Sequence, residues 1–186
     1  MTRNLLLPLL AALLANGCVA GYRFSGAALV DTQGQAGLTG GAGGAWGIKT
    51  GSDSGVTETL EMGAGPTFPR AGVALTAGAG FDYVHQQFGY SRYGLRVGPR
   101  ARYLARYGSD REWWHDFGAG GAAALLVILD STHDPGHEKM GGGGTTYRNL
   151  AIELQGYALG RWHERFREGA FFLVLSYEVN SIVDLF

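Results

Sequence analysis

Charged side chains recur at every second position of segments that are otherwise apolar. In residues 93–107, Arg96, Arg100 and Arg102 occupy even positions, whereas the odd positions carry Tyr, Leu, Val, Pro and Ala. A period of two is the side-chain period of a β-strand, so these arginines share one face. The chemistry open to such a face is ion pairing, because a buried charge persists only when it is paired and hydrogen-bonded. The expected network adds the charged residues opposite the apolar face of their own segments: Glu61, Asp82, Asp116, Glu153, Arg161 and Glu178.

A second group of polar residues lies in the segment HDPGHE and consists of His133, Asp134, His137 and Glu138. Imidazole and carboxylate groups are ligands for borderline and hard metal ions. Their spacing matches no standard closed site, and the glycine and proline around them are typical of a solvated loop. We therefore expect no metal site, and these four residues are the weak candidates for one.

Residues that could form a catalytic site are scattered. His115 and Asp116 are neighbours in a strand and point to opposite faces, so they cannot form a dyad directly. Ser176 and Glu178 share a face, but no histidine lies in the inward phase at the centre of a neighbouring strand. We assign no catalytic residue and no cofactor, and an enzyme is the less favoured interpretation.

The elements that must position these charges are strands. A helix over 93–107 would hold Gly94, Gly98 and Pro99 in its interior, at about 1, 1 and 3 kcal/mol relative to alanine. Comparable alternation recurs along the chain, and Gly-, Asp- and Ser-rich turns separate the segments. The candidate strands cover 21–31, 35–49, 56–67, 72–85, 93–107, 113–129, 147–162 and 171–180. We predict an all-β domain of about eight strands, in which Pro99 indicates a bulge or an error in the strand count.

Composition limits the partners. The 186 residues carry 15 basic and 16 acidic side chains, so the basic excess of a nucleic-acid-binding protein is absent. The 32 glycines form no phosphate-binding motif and no collagen-like repeat. Cys18 is the only cysteine, which excludes an intrachain disulfide.

The N-terminus has the pattern of an export signal. Arg3 precedes the apolar stretch 5–14, which is too short to span a bilayer, and small residues follow it. Cleavage is compatible with two positions, before Cys18 or after Ala20. The segment LANGC resembles the lipobox of bacterial lipoproteins, which implies lipidation of Cys18. We therefore expect a signal peptide over 1–20, a barrel domain over 21–186, and no later transmembrane helix.

The arginines indicate which face of the strands is buried in the lumen. An arginine on the lipid face near the bilayer centre costs roughly 2–4 kcal/mol, so three of them would cost as much as the stability of a whole domain. An eight-stranded barrel has an interior just wide enough for side chains to fill. We therefore expect the charges to form a salt-bridged plug inside a closed barrel.

These features together resemble the small eight-stranded outer-membrane barrels of Gram-negative bacteria, the OmpA and OmpX class. The resemblance is carried by the export signal, the alternation, the terminal Phe186 and aromatic residues near strand ends: Trp46, Tyr93, Tyr103, Tyr107, Trp113 and Trp162. It implies an antiparallel up-and-down barrel in the outer membrane with lipid as its partner. The implied role is non-enzymatic, structural or in surface interaction, with no protein partner identified.

Two other interpretations remain open at the level of sequence. An exported, lipid-anchored soluble barrel would place the apolar faces inside around a small apolar ligand and leave the arginines in water. An outer-membrane enzyme that modifies lipid would need a catalytic site that the sequence does not display. The orientation of the arginines separates the first of these from the membrane barrel.

Overall fold

The chain forms eight long β-strands. The computed structural model describes residues 18–50, 54–68, 72–86, 92–107, 112–134, 143–161 and 168–183. The strands are β1 (Cys18–Asp31), β2 (Ala36–Lys49), β3 (Ser54–Phe68), β4 (Gly72–Gln86), β5 (Tyr93–Tyr107), β6 (Trp113–Asp134), β7 (Gly144–Arg161) and β8 (Glu168–Val183). Within these ranges no helix is long and apolar enough to cross a membrane.

The strands close into a barrel in the order β1 to β8, and each strand pairs antiparallel with its neighbours along the chain. Closure is made by β1 and β8, which pair from Cys18 with Val183 to Asp31 with Ala170. The predicted all-β, up-and-down barrel of eight strands is therefore confirmed. β1 begins at Cys18, three residues before the expected start of the barrel domain.

The two faces of each strand differ in the way that the alternation predicts. Leu95 and Val97 on β5 are 57% and 48% exposed, whereas Arg96 between them is 5% exposed. The same outward phase carries Phe24, Met62 and other large apolar residues around the barrel. The barrel is thus apolar outside and charged inside, the inverse of a soluble protein.

Glycine allows the strands to approach closely on the inner face. A Cβ at Gly120 on β6 would meet the carbonyl oxygen of Gly156 on β7, and a Cβ at Gly98 on β5 would meet that of Phe81 on β4. Side chains at these positions would push neighbouring strands apart, so glycine is needed for the tight curvature of a small barrel.

Pro99 lies in the middle of β5, yet it causes no register shift. The pairs Gly80–Arg100 and Tyr83–Val97 lie on either side of it and belong to the same register. Pro99 faces outward and has no amide hydrogen, so the ladder loses bonds there without a bulge. The irregularity lies elsewhere, between Ile128 and Asp130 of β6.

The two ends of the barrel are named here by what they carry. The terminal rim holds Cys18 and Val183, and the turn rim holds the short β1–β2 turn. In that turn Asp31 Oδ1 accepts hydrogen bonds from the amides of Gln33 and Gln35, both at 2.9 Å. Gly34 adopts a φ of 78°, which a glycine accommodates without steric cost.

A cluster of buried apolar side chains lies inside the barrel near the turn rim. This apolar layer is contributed by β1, β4, β5, β7 and β8, and its buried members are Leu29, Ala74, Leu104, Tyr157, Leu159, Ala170, Phe172 and Val174. A smaller apolar group, Ala124, Leu126 and Ala151, lies toward the terminal rim. The charged residues occupy the space between them.

Candidate functional site in the barrel lumen

The inward phase of β5 places three arginines in the middle of the lumen. Arg96, Arg100 and Arg102 are all at most 5% exposed. Their carboxylate partners lie on the adjacent strand β4 and on β3, β7 and β8, which do not pair with β5, so the network also joins strands that share no hydrogen-bonded ladder. We call these arginines, Arg23 and their four carboxylate partners Glu61, Asp82, Glu153 and Glu178 the central network.

Arg100 makes the most regular pair. Its Nη1 lies 2.5 Å from Asp82 Oδ1 and its Nη2 lies 2.8 Å from Asp82 Oδ2. A two-point arginine–carboxylate pair adds geometric specificity to charge attraction. Arg100 Nη2 also lies 3.5 Å from Glu153 Oε1, so this pair is connected to the rest of the network.

Arg96 joins the two carboxylates of the C-terminal strands. Its Nη1 donates to Glu178 Oε2 at 2.8 Å, and its Nη2 contacts Glu153. Both glutamates are at most 2% exposed. Glu178 also accepts a hydrogen bond from the Ser176 hydroxyl at 2.9 Å. The carboxylates are thereby satisfied by several donors, as a buried charge requires.

Arg23 is a member of the network that the sequence analysis missed. Its Nη1 lies 3.2 Å from Glu153 Oε2 and 3.9 Å from Glu178 Oε1, and its Nη2 contacts Glu61. The signal was available, because outward Tyr22 and Phe24 place Arg23 in the inward phase. With Arg23 included, four arginines face four carboxylates, and the formal charges balance.

Arg102 lies where the network meets the apolar layer. Its Nη2 donates to Gln155 Oε1 at 2.7 Å and contacts Glu61. Its guanidinium carbon lies 4.3 Å from the centroid of the Phe172 ring and 5.2 Å from that of Tyr157. Arginine stacks on aromatic rings in this way, which holds the side chain against the wall formed by β7 and β8.

Asp116 belongs to a different cluster at the turn rim. Arg106 Nη2 lies 2.7 Å from Asp116 Oδ2 and 2.5 Å from Glu168 Oε1, and its Nη1 lies 2.6 Å from Asp31 Oδ2. We call Arg106, Asp31, Asp116 and Glu168 the rim cluster. It joins β5 to β1, β6 and β8, with one arginine for three carboxylates. The alternation predicted that Asp116 points inward, as the structure has it. Alternation does not indicate the level along the barrel axis at which an inward residue lies.

Arg161 differs from the expectation that it lies in the buried network. It ends β7 at the turn rim, where the structure leaves it exposed. Its guanidinium carbon lies 4.2 Å from the ring centroid of Trp114. Arg161 has the inward phase of β7, but as the last residue of the strand it lies at the edge of the barrel and is exposed to water.

Within the described part of the chain, the candidates for catalysis are not brought together. Among the described residues, His85 and His115 lie on the outward phase of their strands and His133 is exposed near the end of β6, so Ser176 and Glu178 have no histidine beside them. His133 Nδ1 contacts Thr145 Oγ1 at 3.0 Å near the end of β6. The side chains of Asp134, His137 and Glu138 lie outside the described residues. Within the described part of the chain no three potential ligands are grouped as a metal site.

Aromatic residues gather on the outer surface toward the turn rim. Tyr107 and Trp113 have ring centroids 5.3 Å apart, and Tyr103 and Phe117 have centroids 5.0 Å apart. The Tyr103 hydroxyl lies 2.6 Å from His115 Nδ1. Amphipathic rings at this position are typical of the boundary between a bilayer and water.

The closed antiparallel barrel of eight strands has similar folds among solved structures. No protein-family model matches the chain, and no curated protein matches it. The fold is similar to the crystal structure of Neisserial surface protein A, with a TM-score of 0.48 and 10% identity over 88% of this chain and 96% of that one. It is also similar to the outer membrane protein OprG from Pseudomonas aeruginosa, with a TM-score of 0.38 and 8% identity over 91% and 96% of the two chains. Both similarities concern the fold alone.

Proposed function

We propose that the chain is an exported, integral outer-membrane barrel with a plugged lumen and a non-enzymatic role in envelope structure or surface interaction. The observation that carries this proposal is the inverted polarity of the barrel. Large apolar side chains such as Met62, Leu154 and Phe171 are more than 60% exposed, whereas the arginines that point into the lumen are buried. Contiguous apolar surface of this extent is typical of a membrane or partner interface and not of a soluble monomer.

The same polarity opposes the lipid-anchored soluble barrel. That interpretation requires the arginines in water and an apolar pocket inside, but Arg96, Arg100 and Arg102 are buried and ion-paired. Turning the barrel inside out would require a shift of one residue in every strand, because the side-chain period is two. Lipid is therefore the partner that fits the outer surface.

The equal numbers of positive and negative side chains in the central network favour a closed lumen over an ion-conducting one in the native protein. The four arginines of the central network are matched by four carboxylates, and apolar side chains close the lumen on the side of the turn rim. Side chains of this size fill the interior of an eight-stranded barrel. Loops at the two rims then provide the surface for interaction with other molecules.

The signal peptide and the lipid anchor are part of the proposal. Residues Cys18 to Ala20 pair with β2 and with β8, so cleavage after Ala20 would remove three paired residues from β1. Cleavage before Cys18 would keep them. We propose this second position with lipidation of the exposed Cys18, and the intact mass of the mature protein tests it. A mature chain that begins at Gly21 would contradict it.

The membrane proposal is tested by comparing the wild type with Cys18→Ala. We expect both proteins to float with liposomes after urea washing and to migrate faster in unboiled than in boiled SDS samples, because the barrel itself crosses the bilayer. The variant controls for anchoring by lipid alone. Release of Cys18→Ala into detergent-free buffer, with no heat-dependent migration, would contradict the proposal and favour the soluble barrel.

A further inference from the structure

One carboxylate lies on the outer surface of the barrel among large apolar side chains. Glu58 is exposed and has the outward phase of β3, between Val56 and Leu60 on its own strand. In the ladders on either side it lies opposite Trp46 of β2 and Phe81 of β4. These four neighbours are 39–55% exposed. Glu58 therefore faces the same surroundings as the apolar surface that the proposed function places in lipid.

Glu58 lies at the level of an aromatic belt near the terminal rim. Tyr22, Trp46, Tyr83 and Tyr177 face outward in the terminal-rim half of their strands, as Glu58 does in β3. Tyrosine and tryptophan in such belts mark the level of the lipid headgroups. A charge on the lipid face costs far less at this level than at the bilayer centre. The carboxylate is therefore placed where it meets headgroups and not acyl chains.

The negative charge of Glu58 is not matched by a cation of the described ranges. The carboxylate Oε2 accepts a hydrogen bond from the indole Nε1 of Trp46 at 2.7 Å, and the indole is neutral. Asp130, another exposed carboxylate near the terminal rim, differs because Arg148 Nη1 lies 2.6 Å from its Oδ2. A carboxylate has about four acceptor sites, so one indole N–H leaves Glu58 able to accept from a further donor.

We propose that Glu58, held by Trp46, binds the primary ammonium group of a phospholipid headgroup, so that the barrel selects such lipids on the side of the terminal rim. An ammonium group supplies the missing positive charge and three N–H donors for the carboxylate oxygens. The aromatic rings of Trp46 and Phe81 beside Glu58 add faces that attract a cation. The inference rests on the membrane insertion proposed above and names the class of lipid.

The chemistry of the site distinguishes between headgroups. Choline carries a positive charge but no N–H, so it cannot donate a hydrogen bond to the carboxylate. A glycerol headgroup leaves the lipid phosphate uncompensated and brings a second negative charge toward Glu58. We therefore expect a preference for ethanolamine over choline, and for choline over glycerol. If Glu58 only orients the Trp46 indole, no headgroup preference is expected.

The test is native mass spectrometry of the barrel released from vesicles with equal parts of phosphatidylethanolamine, phosphatidylcholine and phosphatidylglycerol. Glu58→Gln keeps an oxygen that can accept from Trp46 and removes the charge. We expect the wild type to retain phosphatidylethanolamine in preference, and Glu58→Gln to lower its ratio to phosphatidylcholine about two- to fivefold, the range for one exposed ion pair. The matched control Asp130→Asn should leave this ratio unchanged, because Arg148 already neutralises Asp130.

Three results would overturn the inference: equal retention of phosphatidylcholine and phosphatidylethanolamine by the wild type, an unchanged ratio in folded Glu58→Gln, or an equal fall in Asp130→Asn. Heat-dependent migration shows that each variant is folded. If Glu58→Gln does not fold, Glu58→Leu, which matches the apolar neighbours, takes its place with the same expected fall in the ratio. Failure of the wild type to float with liposomes would overturn the membrane proposal, whereas a floating barrel without headgroup preference overturns this inference alone.

Discussion

The central network and the rim cluster are built from the same types of charged side chain. They lie at different levels along the barrel axis and differ in their ratio of arginines to carboxylates. Deep in the lumen, four arginines meet four carboxylates, all of them at least largely buried. Among the described residues of the turn rim, one arginine, Arg106, pairs with Asp31, Asp116 and Glu168. The central network pairs its charges one to one, whereas the rim cluster, whose side chains are also only 1–13% exposed, has two carboxylates in excess of its arginine.

The comparison predicts that removal of one charge lowers the free energy of unfolding by different amounts in the two clusters. In the central network the loss of one charge leaves a buried excess of the opposite charge. At the rim, the loss of one carboxylate leaves Arg106 paired with the remaining two. Substitutions that remove one charge without a large change of volume measure this difference.

The largest effect is expected for Arg96→Met. Glu153 and Glu178 would keep Arg23 as a shared arginine, at 3.2 and 3.9 Å, but the network would hold three arginines for four buried carboxylates. Removal of one partner from a buried ion pair costs about 3–5 kcal/mol. The free energy of unfolding is measurable by urea titration of tryptophan fluorescence in lipid vesicles. Arg148→Met is the control, because the Arg148–Asp130 pair at 2.6 Å is about half exposed and worth at most about 1 kcal/mol. Equal losses in the two variants would refute the contrast between depths.

A smaller difference is expected between the amide variants Glu153→Gln and Asp116→Asn. Glu153 balances Arg23, Arg96 and Arg100, so its neutralisation should cost about 3 kcal/mol. Asp116→Asn should lower the free energy of unfolding by only about 1 kcal/mol, roughly the contribution of one hydrogen bond, because Arg106 keeps two other carboxylates and the cluster loses part of its negative excess. The same urea titration compares them. A greater loss for Asp116→Asn would show that the rim cluster is the more important one.

The smallest effect is expected at the edge of the turn rim. Arg161→Met removes a cation–π contact of 4.2 Å with Trp114, worth about 0.5–1 kcal/mol at an exposed site. The fluorescence of Trp114 should change while insertion into vesicles does not. Loss of insertion in this variant would mean that Arg161 belongs to the buried network after all.

Much of the fold was predictable because alternation is a local property. The alternation placed Arg96, Arg100, Arg102, Glu61 and Glu153 on the charged faces of their strands, and the structure turns those faces inward. Depth was not predictable, since Asp116 and Glu178 have the same phase but lie at different levels. The partners depend on register across non-adjacent strands, which no single segment contains.

Pro99 and Arg23 show the two kinds of error. Pro99 suggested a bulge, but an outward proline costs ladder bonds without changing the register. Arg23 was overlooked in a segment with weak contrast, although its neighbours Tyr22 and Phe24 face outward. In both cases the strand itself was assigned correctly.

The sequence alone determined that strands of period two carry apolar side chains on one face and charges on the other, because the pleat sends successive side chains to opposite sides. Only the tertiary structure decided that the charged face turns inward and which arginine meets which carboxylate. Closure of the barrel makes that choice: it removes one face of every strand from its surroundings at once, and ion pairs across the lumen stabilise the charges enclosed there.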